Sequence, residues 1–207
     1  MSEPDYPWPR YGAGPKEHLH ALGVISLNFN LYEYSLVVFL EQHFSKDVSA
    51  FLSDKLNNAE RSQLIRLIMS KDYHQEVIDE VEFILRHFAI CTENRHTLLH
   101  SRPNLLLGAF GETRTLALEK FKRGQPEKLL AFQLDISDLR RAADEMRAGF
   151  VFMIDLWRYF FDREHYYTVA KHAEEQNLPI ETLAFPTLPN RPPEPRKINP
   201  HQHGEAH

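Results

Sequence analysis

Apolar residues recur at three- and four-residue steps through much of this chain, and that rhythm predicts helices. Leu22, Ile25, Phe29, Leu36 and Leu40 trace one stripe, which predicts a first helix over residues 17–44. Glu33 falls inside the stripe, where a carboxylate must find a cation or donors because an unpaired buried charge is costly. Val48, Phe51, Leu52 and Leu56 predict a short second helix over 47–56. Asn58 reads as the N-cap of a third, with Leu64, Leu67 and Ile68 facing inward. A fourth helix is expected from Asp72 or Tyr73 to Leu99 or His100, with Val77, Val81, Ile84, Leu85, Phe88 and Cys91 or Thr92 on its inner face. Arg102 precedes Pro103, and a residue before proline is biased away from helical geometry, which sets the stop.

The texture then changes. Leu105 to Phe110, Thr115 to Phe121 and Leu129 to Leu134 are short segments with β character, separated by Gly111-Glu112 and by Arg123-Gly124-Gln125-Pro126. They predict a small antiparallel hairpin or meander, inserted at about 105–135. Ser137 reads as the N-cap of a long final helix, whose Leu139, Ala143, Met146, Phe150, Met153, Trp157 and Phe160 are spaced to form one face. Prolines and polar residues dominate from about Phe185. The expected organisation is a loosely ordered segment over 1–16, an all-α bundle with the β insertion over 17–180, and a disordered Pro- and His-rich tail over 181–207.

Composition narrows the setting. A single cysteine, Cys91, excludes an internal disulfide framework and fits a reducing cytoplasm. The first residues hold Pro4, Pro7, Trp8 and Pro9 without an apolar run, so no signal peptide is expected. The oily stretch from Leu19 to Phe44 is broken by Asn28, Asn30 and Glu33, whereas a membrane span needs roughly 20 mostly apolar residues. A core helix and a cytoplasmic chain without a membrane partner are therefore expected. The formal net charge of −5 argues against broad nucleic-acid coating but leaves room for a local site. Arg114, Lys120, Lys122, Arg123 and Lys128 give the middle of the chain a basic lean, which Glu112, Glu119 and Glu127 dilute. A solvated surface is the expected outcome there.

The densest chemistry is the polar knot Asn94-Arg95-His96-Thr97-Leu98-Leu99-His100-Ser101-Arg102. Arg95 offers a planar, permanently charged fork for a phosphate, and His100 an imidazole able to take or give a proton at neutral pH. Five helical steps separate them by about 140°, so they converge only if the last turn tightens or unwinds. The Arg95-to-His100 spacing at a helix end resembles the HEPN superfamily of small α-helical domains. Leu31-Tyr32-Glu33-Tyr34-Ser35-Leu36 is similar to that family's first helix, where an acidic residue faces the motif. One departure is Ser101, where related sequences often carry glycine.

The resemblance covers residues 17–165 and implies metal-independent cleavage of single-stranded RNA by its own 2′-hydroxyl, without a cofactor. In that reading Arg95, His96 and His100 are catalytic, with Glu33 and Asn94 supporting. It further implies a homodimer, and a toxin or defence role with an antitoxin or regulatory protein as partner. Two alternatives remain open: a catalytically silent HEPN-like module that binds nucleotide, RNA or protein, and a metal-binding helical bundle. The metal reading rests on Glu93, His96 and His100 at three- and four-residue steps and on Glu17 with His20, but a di-iron bundle needs further glutamates at matching depth. Plainer roles stand beside each assignment. Arg95 can pair with Glu33 or Glu93, and His100 can serve as a C-terminal helix cation worth about 0.3–1 kcal/mol. His201, His203 and His207 can sit idle in a tail, and the Pro186–Pro189 and Pro192–Pro195 spacings can belong to a passive linker.

Overall fold

The computed structural model describes residues 16–72, 75–103, 115–122, 124–176 and 185–200. Its five helices are α1 (Lys16–His43), α2 (Lys46–Lys55), α3 (Asn58–Asp72), α4 (Gln75–His100) and α5 (Ile136–Glu175). Between α4 and α5 run β1 (Arg102–Pro103), β2 (Thr115–Lys122) and β3 (Gln125–Asp135), an antiparallel sheet in the order β1-β2-β3. The helical bundle with a small sheet before its last long helix is as expected. The predicted strand over 105–110 and the segment 1–15 lie outside the described residues.

The long helices bury the stripes their spacing announced. Ile25, Phe29, Leu36 and Leu40 of α1 meet Leu139, Met146, Met153 and Trp157 of α5 and the Val77–Cys91 face of α4. Direct bonds fix the register between α1 and α5: Trp157 Nε1 donates to the Ser35 carbonyl at 2.9 Å, and Asn28 Nδ2 to the Ala143 carbonyl at 2.9 Å. By length and composition the Glu17–His43 stretch is apolar enough to cross a membrane, with mean hydropathy 1.3. In this fold the same stretch supplies the central helix of the core.

At mid-height the core turns polar. Tyr32, buried on α1, donates from its hydroxyl to the Ile84 carbonyl at 3.2 Å and lies 3.1 Å from His87 Nδ1. The Cys91 sulfur is 3.6 Å from that same nitrogen. Gly149 of α5 closes over the cluster. A Cβ there would stand 2.6 Å from His87 Cε1 and 2.6 Å from Tyr32 Cε1, so the absence of a side chain lets the helices approach.

Several local readings need correction. The N-cap of α3 is Asn57, not Asn58: its side chain accepts from Ala59 and Glu60 amides, and Glu60 bonds back to the Asn57 amide at 2.8 Å. Ile65 and Met69 are the deepest residues of α3, Leu64 and Ile68 pack against the core as expected, and Leu67 is exposed, because that helix is apolar on more than one side. Val48 and Phe51 of α2 are exposed as well. Asp135, not Ser137, caps α5 through a reciprocal box with Asp138.

The largest correction concerns the tail. Residues 185–200, expected to be disordered, lie without helix or strand against α4 and α5 and bury Pro195 and Ile198. The apolar content of this segment is low, but its backbone is held by side chains of the bundle, so no private core is needed. Residues 177–184 and 201–207 lie outside the described residues.

Candidate functional site

The α4 helix stays regular through His100, and this decides where its polar residues point. Phe88, Cys91 and Leu98 lie on the buried stripe, and Arg95, four residues after Cys91, falls on it too. Its guanidinium carbon sits 5.1 Å from the centre of the Phe29 ring, and its Nε is buried with no hydrogen-bond partner. His96 and His100 leave the helix on the solvent side, where their rings stand 4.9 Å apart. The last turn neither tightens nor unwinds. Within one chain the helix therefore holds Arg95 about 140° away from His100, and the structure brings together His96 and His100 instead.

The supporting residues are also committed elsewhere. Glu33 accepts from Asn58 Nδ2 at 2.7 Å and lies 3.8 Å from Arg61, so it ties α1 to α3 and does not orient Arg95. Asn94 is 1% exposed, and both ends of its amide serve the tail. Its Nδ2 donates to the Arg196 carbonyl at 2.9 Å, and its Oδ1 accepts from the Ile198 amide at 2.9 Å. The metal reading gains nothing, since no group of three or more His, Cys, Asp or Glu side chains suited to a metal occurs among the described residues.

What the sequence reading passed over is a groove of about 530 Å³ beside the knot, walled by α4, by the β2–β3 hairpin and by the tail. The hairpin is in register from Thr115↔Asp135 to Phe121↔Leu129, with Leu118 opposite Phe132, and turns at Gly124, whose φ of 77° favours glycine. Leu116 and Leu118 point into the core, so the period of two puts Lys120 on that inner face also. Lys120 reaches the groove, donates to Thr97 Oγ1 at 2.5 Å and stands 5.3 Å from the Phe132 ring centre. Burial lowers its pKa from the usual lysine range; Glu93 opposes that shift and the Lys197 charge adds to it.

Among the described residues, Lys122, His96 and the tail's Lys197 share the groove, with Glu93 the one carboxylate that lines it. Lys197 lies 2.5 Å from Glu93, but both side chains are more than half exposed, so water screens the pair. Three ammonium groups against one carboxylate make the groove locally cationic in a chain whose net charge is −5. Phe121, 57% exposed, supplies flat apolar surface at the groove, while Phe132 is buried beneath Lys120. A signal for Lys120 existed in the alternation of Leu116, Leu118 and Lys120. Compared with protein-family models, curated proteins and solved structures, the chain gives no match.

Proposed function

We propose that this chain is a catalytically silent binding module whose cationic groove takes the phosphates of a nucleotide or of single-stranded RNA. The observation that carries the reading is the convergence of Lys120, Lys122 and Lys197 on one groove that also holds the exposed ring of Phe121. Ammonium groups neutralise phosphate, and a ring face accepts any base, which is how single strands are held without sequence preference. Arg95, turned onto Phe29, gives the stacked core a cationic lid and takes no part in binding.

The test is a binding and cleavage assay on single-stranded RNA with chelator present. The expected result is intact RNA, bound with a strong salt dependence, and weaker binding by Lys120→Ala and Lys122→Ala than by His100→Ala. RNA that does not bind at all removes the proposal.

A second reading, the HEPN-like endoribonuclease acting as a homodimer, keeps one observation in its favour: His96 and His100 form an exposed pair of imidazoles at the end of α4. Two such groups can divide the roles of general base and acid. Chelator-resistant cleavage, lost in both His100→Ala and Arg95→Ala, would establish that reading in place of the first.

A further inference from the structure

The tail does not merely cover α4; it is received by it. Arg191 donates from Nε to Glu80 Oε2 at 2.7 Å while its guanidinium lies 5.1 Å from the Phe83 ring centre. Further along, the Arg196 amide donates to Glu145 Oε1 at 3.2 Å, and Lys197 pairs with Glu93. Burial raises the Glu145 pKa, against the pull of the Arg196 amide and of nearby arginines. Two carboxylates, Glu80 and Glu93, thus pair with basic side chains of the segment, and a third, Glu145, accepts from its backbone.

Between them Asn94 uses its amide as a neighbouring strand uses its backbone, accepting and donating one bond each, and Ile198 inserts its side chain at 7% exposure. The spacing agrees as well. Glu80 to Glu93 is thirteen helical residues, about 20 Å, a distance that the six residues from Arg191 to Lys197 can span when extended. A passive linker has no reason to satisfy charge, backbone and pitch together.

We propose that this face of α4 and α5 is a recognition seat for an extended basic peptide, with residues 191–198 as its resident occupant. The partner it fits is a protein segment carrying arginine, then six residues later a lysine followed by a branched apolar residue. Asn94 selects for extended backbone, since a helical segment offers no free amide and carbonyl two residues apart. Glu80 with Phe83 selects arginine over lysine, because a planar guanidinium can both pair and stack. The seat shares Lys197 and the tail wall with the adjacent groove, but peptide uptake is read without RNA and so does not rest on the groove binding it.

The test uses the full chain and a labelled peptide with the sequence of residues 185–200, followed by fluorescence anisotropy. A tethered occupant competes at an effective concentration near ~1 mM, so the unaltered chain should take up the peptide poorly, and Ile198→Asp, which expels the resident segment, at least about ten-fold better. Uptake should fall with salt and be lost when Glu80→Lys and Glu93→Lys are added. Should Ile198→Asp not fold, the pair Arg191→Ala and Lys197→Ala, at exposed positions of the tail, loosens the occupant without touching its buried anchor. That variant should bind peptide better than the unaltered chain. A folded variant that takes up no peptide, or takes up a scrambled peptide equally, overturns the proposal.

Discussion

His87 and His96 stand on one helix, nine residues apart, in opposite surroundings. His87 is sealed between Tyr32, Cys91 and Gly149, and its Nε2 is buried with no hydrogen-bond partner. His96 is exposed, beside His100 and the cationic groove. The residue type is the same and the helix is the same. What differs is which side of the stripe each occupies. The contrast teaches that α4 has a structural half, in which polar groups are spent on packing, and an open half, in which they face solvent and the groove.

The contrast can be broken or sharpened by experiment. The largest effect is expected in the sealed half: Phe88→Ala removes the ring that stacks on Phe29 at 5.5 Å and should cost about 3–5 kcal/mol in chemical denaturation. Next comes acid. Burial lowers the His87 pKa to about 4, against a smaller opposing backbone hydrogen bond. The unfolded chain therefore binds this proton more readily than the folded one. The stabilising contribution of neutral His87 is complete above about pH 6.5 and is lost as pH falls from there to about 4. The loss is on the order of 3 kcal/mol, and thermal melts of His87→Leu should be flatter across that window than those of the unaltered chain.

A smaller loss is expected for Gly149→Ala, whose new methyl must displace Tyr32 or His87. It should cost about 1–3 kcal/mol by denaturant unfolding. The smallest effect belongs to the open half: His100→Ala should change stability by less than about 0.5 kcal/mol in the same measurement. A cost at His100 as large as that at Phe88 would erase the distinction between the halves.

The sequence revealed the two halves unevenly. Stripes such as Val77–Val81–Ile84–Phe88 were legible because helical spacing alone places them together. Arg95 was legible in principle, since it follows Phe88 and Cys91 at helical steps, but an arginine within a polar run draws attention to its charge before its position. In α3 Leu67 was misplaced and the deeper Ile65 and Met69 were missed, because Leu64, Ile65, Leu67 and Ile68 leave the spacing ambiguous. Asn94 could not be read at all. Its burial depends on residues 196 and 198, more than a hundred positions away, in a segment whose own composition carries no packing signal. The groove was hidden for the same reason, as two of its walls come from the hairpin and the tail.

The Asn94 clamp also has a practical side. Because it holds the chain at Ile198, and Asn199 and Pro200 line the groove, anything inserted directly after Pro200 starts at that groove. An affinity handle or fluorophore added there would crowd the very opening a binding assay is meant to probe, and an oligohistidine handle would bring extra imidazoles to it.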